Sequence, residues 1–216
     1  MLIEEYREKY SDDDAPGWLA IDAAVNKIYP DQEPKHWAAV PHFSVGGQDP
    51  IDGISFYEAF ENGEKYYHFV TYGFSSLYYD ENLLENQFSK FGFELTFRLK
   101  PYMLDNDGPK WVFGLIQNIA RYVFNSGKWF EEFHYMPANG PIRLESETKL
   151  TAIAFVLDPQ LGRIETPHGE VQFLQMYGIT DEEYRHLKDN QQDASQLFKS
   201  HAVDNPMFIT DLMRER

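Results

Sequence analysis

Phe91-Gly92-Phe93-Glu94-Leu95-Thr96-Phe97-Arg98-Leu99-Lys100 is the stretch that decides the fold class. Its odd positions are Phe, Phe, Leu, Phe and Leu, and its even positions are Gly, Glu, Thr, Arg and Lys. A period of two gathers the apolar residues on one face of a strand and would scatter them around a helix. The pattern predicts a central strand with one buried face. A slip of one residue would put three Phe rings in water, so its register is expected to be strongly specified. Glu94 and Arg98 fall on the polar face, where they are expected to pair with neighbouring strands rather than with each other.

Outward from this strand, two aromatic and β-branched runs, Ile54–Tyr57 and Tyr66–Tyr72, flank Asn62-Gly63 and predict a hairpin. Gly73 to Asp80 leaves that hairpin through small residues, and an acidic connection, Glu81 to Lys90, leads into the central strand. Downstream, Val112, Leu115, Ile116, Ile119, Tyr122 and Val123 have helical spacing, with Pro109 suited to the first turn and Gly127 to the stop. Leu150–Leu157 is apolar on both faces and reads as a strand covered on both sides, and Val171–Ile179 as another, with a short strand between them. Thr180-Asp181-Glu182-Glu183 has capping-box spacing, which starts a helix. A further short helix is expected over Asp193–His201, a closing strand over Met207–Thr210 and a short strand over His42–Val45.

Near the start, Leu2, Ile3, Tyr6 and Tyr10 predict a short helical arm within residues 1–15, docked loosely. Trp18, Ile21, Val25, Ile28 and Tyr29, with Pro30 as a stop, predict an amphipathic helix over residues 17–29. No linker, repeat or shift of composition divides the rest. Residues 16–216 therefore read as one α+β domain, a mixed and largely antiparallel sheet with flanking helices.

The chain has 216 residues and no Cys, which excludes disulfides, thiolate nucleophiles and Cys-ligated metals. A chain of this length buries roughly 70% of its unfolded surface and needs no staple. The start has neither the basic nor the apolar region of a signal peptide, and no segment is long and apolar enough to span a membrane, so the expected location is the cytoplasm. Nineteen basic against 35 acidic residues give a net charge of −16. That balance repels nucleic acid and anionic membranes, and it suits either solubility or a basic partner.

No catalytic constellation emerges. His68 lies mid-strand among aromatics and reads as a partly buried, satisfied sheet histidine; the other His residues lack metal-ligand spacing. Gly73-Phe74-Ser75-Ser76-Leu77 lacks the second small residue of a nucleophile elbow, and Asp105-Asn106-Asp107-Gly108 lacks the closing Glu of a calcium loop. No metal, cofactor or catalytic residue is expected. Tyr66, Tyr72, Tyr78 and Tyr79 alternate with polar residues and are candidates for contact with a partner.

Several ordered motifs carry a resemblance. The central strand, Tyr29-Pro30-Asp31-Gln32, Gly46-Gly47-Gln48-Asp49-Pro50-Ile51-Asp52, Tyr72-Gly73-Phe74-Ser75-Ser76-Leu77-Tyr78, Asp158-Pro159-Gln160 and Thr166-Pro167-His168-Gly169 together resemble the Suppressor of fused family, over about Pro16 to Arg214. With nothing after Arg216, the chain looks like the one-domain bacterial members, which are proposed to be immunity proteins that neutralise a toxin by binding it. In the two-domain animal relatives a partner peptide is held as a β-strand. Carried over residue by residue, the resemblance implies protein-binding roles for Tyr78 and Asp80. It implies a non-catalytic domain whose partner is another protein or extended peptide, such as a basic toxin, bound by strand addition at the sheet edge near Gly73 to Asp80. An enzyme with an unrecognised site, or an adaptor or regulator of a signalling or transcription protein, is the alternative.

Overall fold

The computed structural model describes residues 1–41, 43–105 and 108–215, and of Ser44 the backbone. Among them the chain runs α1 (Ile3–Lys9), α2 (Pro16–Asn26), β1 (Lys35–Ala38), β2 (Gly53–Glu61), β3 (Glu64–Tyr72), β4 (Phe88–Leu99) and α3 (Trp111–Ser126). It continues through β5 (Tyr135–Pro137), β6 (Leu150–Leu157), β7 (Arg163–Thr166), β8 (Gly169–Thr180), α4 (Asp181–Lys188) and α5 (Ala194–Asp204). The strands form one mixed sheet in the order β1-β2-β3-β4-β8-β6-β5, with β7 paired to β8. Only the β4–β8 ladder is parallel among the described residues. The architecture is that of a single α+β domain.

Local chemistry explains the boundaries. Asn62 and Gly63 both have positive φ (51° and 85°), which a two-residue hairpin turn between β2 and β3 requires. Helix α3 stops at Gly127, whose left-handed backbone (φ 68°) lets its N–H reach the Val123 carbonyl. At the start of α4 the Thr180 hydroxyl accepts the Glu183 N–H, and the Glu183 carboxylate accepts the Thr180 N–H at 2.7 Å. Two expected strands are absent. Phe43–Val45 forms a 3-10 turn, His42 lying outside the described residues, and of Met207–Thr210 only Thr210 bridges to Leu99. The carbonyls of Met207 and Phe208 instead accept from the Gln175 amide. The N-terminal arm is a helix, and its Tyr6 is fully buried rather than loosely docked.

One face of the sheet is the expected apolar layer. Phe93, Leu95 and Phe97 of β4 join Phe69, Phe155 and Leu174, and Val112, Ile116 and Val123 of α3 close over them. The other face overturns the reading of β4 as buried on one side, because Glu94, Thr96 and Arg98 are all 0% exposed. Here β8 presents Phe173, Gln175 and Tyr177 in alternation. Phe173 belongs to a cluster capped by Ile21 and Val25 of α2, and Tyr177 to a second cluster with Leu197 and Phe198 of α5.

Between the two clusters lies a buried polar network. The Arg98 guanidinium donates to both oxygens of Asp158, at 2.7 and 3.1 Å, and to the side-chain oxygens of Gln160 and Gln175. Asp158 also accepts from Thr96 Oγ1 (2.8 Å) and from the N–H groups of Gln160 and Leu161. His68 Nε2 lies 3.2 Å from Asp158, and Tyr29 Oη 2.9 Å from His68 Nδ1. A carboxylate accepts only, so Nε2 carries the proton and Nδ1 accepts the phenol O–H. Burial, helped by the Arg98 charge, pushes His68 down to about 4 against the opposing pull of Asp158. Burial by itself would raise Asp158, but its bond to His68 and the charges around it hold it well below the carboxylate range.

Two predictions follow from this packing. Phe97→Ala should cost about 3–5 kcal/mol as a core truncation. Thr96→Val, which takes a donor from a buried carboxylate, should cost about 1–3 kcal/mol. Urea midpoints compare the two, and a Thr96→Val midpoint equal to wild type would return this residue to a solvated face. The second prediction concerns pH. An unfolded histidine titrates near 6.5, so below that value the unfolded chain binds a proton that folded His68 does not. This contribution is intact above about pH 6.5 and is lost, by about 3 kcal/mol in all, as pH falls toward 4. His68→Gln, which keeps a donor toward Asp158, should flatten that slope in urea unfolding; an unchanged slope would assign it to another group.

Candidate functional site

The β3–β4 ladder stops at Val70–Thr96. Beyond it the strands part, and the Glu94 carboxylate occupies the gap. It accepts from Thr71 Oγ1 (2.6 Å), the N–H groups of Gly73 (3.0 Å) and Ser75 (2.9 Å), and Ser75 Oγ (2.6 Å). Burial raises the Glu94 pKa, and these donors counter it. One side chain thereby replaces ladder bonds and bends the chain out of the sheet. Gly73 makes the bend possible: its φ is +133°, and a Cβ there would stand 2.9 Å from the Asp52 nitrogen.

Residues 76–81 are then held from the side of the N-terminal helices. Gly17 and Trp18, at the start of α2, donate to the Leu77 carbonyl, and Tyr79 N–H donates to the Asp14 carbonyl. A Cβ at Gly17 would lie 2.0 Å from the Ser76 oxygen, so only glycine permits this approach. The loop also borders a groove of about 390 Å³, whose walls include Phe43, Asp52, Tyr78, Asp80, Lys90 and Phe124. This is the lower end of the size range of ligand pockets.

Tyr78 is 51% exposed on that groove. Partial burial, with the charge and hydrogen bond of Asp52, raises its pKa and keeps the phenol protonated. Asp80 is half-buried and caps the Glu81–Leu83 turn, its Oδ1 accepting from Asn82 N (3.0 Å) and Nδ2 (2.9 Å). Lys90 is an exposed residue whose ammonium is nonetheless bonded back to the protein. The Nζ donates to the Gly73 carbonyl at 2.7 Å and lies 4.5 Å from the centre of the Phe124 ring. Burial lowers the Lys90 pKa, while Glu94 and Asp52 oppose the shift.

The groove thus brings the two sequence-predicted residues together with others that sequence reasoning missed. Asp52, Lys90 and Phe124 come from the approach to β2, the start of β4 and the end of α3, and no local pattern links them. Of the four tyrosines offered to a partner, Tyr66 and Tyr72 are core, at 3% and 1% exposure. Gly73 to Asp80 is not a sheet edge either. Its N–H groups at 73, 75, 76, 79 and 80 and its carbonyls at 73, 74, 76, 77 and 80 all have partners. Most main-chain groups that strand addition would use there are therefore already taken.

The other convergent charged group, His68, Asp158 and Arg98, is 0–1% exposed, so it lies out of reach of solutes. Among the described residues no three His, Asp or Glu side chains are placed to hold a metal, and no helix is long and apolar enough to cross a membrane.

Comparison with known proteins gives these features a context. The human and mouse Suppressor of fused homologs are each 34% identical over 209 residues, 92% of this chain and 43% of theirs, so this chain spans less than half the length of those relatives. Among solved structures, a chain of the Sufu-Fu complex matches with a TM-score of 0.85 and 28% identity, over 94% of this chain and 93% of that one. Drosophila Suppressor of Fused matches with a TM-score of 0.79 and 26% identity, over 95% of this chain and 52% of that one. A putative homolog from Neisseria gonorrhoeae shares the fold, with a TM-score of 0.59, 12% identity and coverage of 92% and 94%. The Suppressor of fused protein family model matches residues 47–215, which include β2 to β8, the Glu94 bend and the whole Tyr78–Asp80 loop, and this chain therefore belongs to the Suppressor of fused family.

Proposed function

We propose that this chain is a protein-binding domain, acting without turnover, that holds an extended segment of another protein against the groove rimmed by Tyr78 and Asp80. The observation that carries this reading is a half-exposed aromatic on a loop whose own backbone is internally bonded. Such a loop presents side chains at low entropic cost. A related chain in the Sufu-Fu complex is part of a two-protein assembly, which supports a binding role. The groove supplies stacking area from Tyr78 and Phe43 and carboxylates from Asp52 and Asp80. Recognition there is by side chains, not by main-chain pairing.

The finer version is an immunity protein that neutralises a basic toxin. A net charge of −16 suits such a partner by accelerating encounter.

The binding reading is tested with peptides selected on the immobilised protein from a random display library and measured by calorimetry. Tyr78→Ala with Asp80→Asn, the latter keeping the turn cap, should weaken the selected peptides by at least about tenfold, roughly 1.4 kcal/mol. The melting temperature should stay within a degree or so of wild type, since neither change opens the core. Undiminished affinity would place the binding surface elsewhere. For the toxin version, the association rate with a basic nuclease toxin should fall steeply with salt while dissociation changes little. A salt-independent association rate would reduce the charge to a solubility device.

A further inference from the structure

We infer that α1 is a clamp that sets the shape of the Tyr78–Asp80 loop, with Tyr6 as its positioning residue; this deepens the binding reading above and rests on it. Tyr6 is 0% exposed yet belongs to none of the three apolar clusters of the sheet. Besides the neighbouring Tyr10 ring, 5.3 Å away, its partners are the loop and one histidine. The ring stacks on Tyr79, with centroids 4.8 Å apart, and the Asp80 N–H donates to Tyr6 Oη at 3.2 Å. Tyr6 Oη lies 2.8 Å from His168 Nε2, and His168 Nδ1 lies 3.1 Å from the Ser76 carbonyl.

A carbonyl only accepts, so Nδ1 carries a proton, and a ring with that one proton accepts from the Tyr6 O–H at Nε2. One ordered chain results, from Asp80 N–H to Tyr6, from Tyr6 O–H to His168, and from His168 Nδ1–H back to Ser76. It joins the two ends of the loop, residues 76 and 80, through a side chain of α1. Arg7, one residue on, adds a bidentate pair with Glu81 at 2.9 and 2.5 Å.

The dependence is mutual. Seven residues are too few to hold a helix in water without tertiary contacts, so α1 owes its order to the loop it grips. The loop owes an amide acceptor, a ring contact and an ion pair to α1. Tyr78 and Asp80 line the groove and no residue of α1 does, so α1 acts on the binding side chains without touching what they bind. Releasing it would remove these holds on residues 79–81, while α2 keeps Leu77, and would add an ordering cost to every binding event.

The test uses the full chain with three substitutions and two readouts, amide hydrogen exchange by NMR and affinity for a library-selected peptide. Tyr6→Ala should speed exchange at Tyr79 and Asp80 by at least about tenfold while β4 amides, Phe93 to Phe97, keep wild-type protection. Tyr6→Phe keeps the ring and loses the hydroxyl, so the Asp80 amide should be affected and Tyr79 much less. Arg7→Gln should give a smaller, salt-sensitive change, as expected of an exposed ion pair. Peptide affinity should fall at least about fivefold in Tyr6→Ala. Unchanged exchange at 79 and 80 in Tyr6→Ala overturns the clamp, whatever the peptide does. Faster exchange with unchanged affinity, for a peptide that Tyr78→Ala/Asp80→Asn no longer binds, overturns the positioning role. A peptide that binds the groove double variant as well as wild type refutes the binding reading while leaving the exchange result for α1 standing.

Discussion

The bidentate pair between Arg98 and Asp158 is the constraint on which the rest of this structure depends. Two opposite charges at 0–1% exposure are costly to remove from water, and their attraction offsets that cost only when geometry and remaining hydrogen bonds are nearly complete. Here they nearly are: Asp158 accepts six bonds, and Arg98 leaves only Nε without a partner among its nitrogens. The donors and acceptors come from β3, β4, β8 and the turn after β6, so each strand's register is tied to the others. A one-residue slip of β4 would carry Thr96 and Arg98 to the face of α3 and leave Asp158 buried and unpaired. Such a pair is weak evidence of stability but strong evidence of specification, since removing one partner typically costs about 3–5 kcal/mol.

Four residues before Arg98 on the same face, Glu94 performs the opposite operation. Arg98 ties strands together, whereas Glu94 stands in for bonds the strands do not make and lets β3 leave the sheet at Gly73. The loop carrying Tyr78 begins where ladder pairing ends. A local failure of pairing, stabilised by one buried carboxyl and permitted by two close-approach glycines, 17 and 73, is what lifts side chains into a groove.

These two buried polar residues also mark what a sequence can and cannot disclose. The alternation in 91–99, the Asn62-Gly63 hairpin, the stop at Gly127 and the capping box at Thr180 are local signals, and each is where its residues put it. The second face of β4 is not legible locally, because Glu, Thr and Arg at alternate positions look the same against water as against distant polar partners. Asp158, the partner that decides the matter, is 60 residues away from Arg98 and sits in an ordinary Asp-Pro turn. Tyr66 and Tyr72 failed for a related reason: alternation with polar residues says nothing when both faces are covered. His68, expected as a partly buried and satisfied sheet histidine, is fully buried and bonded at both ring nitrogens. Tyr78 and Asp80 are singled out by resemblance, whereas Lys90, Asp52 and Phe124 become their neighbours only when four segments meet.

That convergence bears on selectivity. A free sheet edge binds through main-chain groups, which every peptide carries, and so tolerates many sequences. Along Gly73 to Asp80 most of those groups are occupied, so on the proposed reading affinity comes from side chains that only some partners can match. Tyr78 offers a face and a hydroxyl already engaged by Asp52. Asp80 offers a charge partly spent on Asn82, and Lys90 has its ammonium turned inward toward Gly73. A partner without an apolar group for Tyr78 and Phe43 forgoes the contact area, and one presenting a carboxylate meets both Asp52 and Asp80. On that proposed reading the groove would discriminate by repulsion as well as by fit, and a change of a few rim residues would alter the partner while the Arg98–Asp158 frame stays as it is.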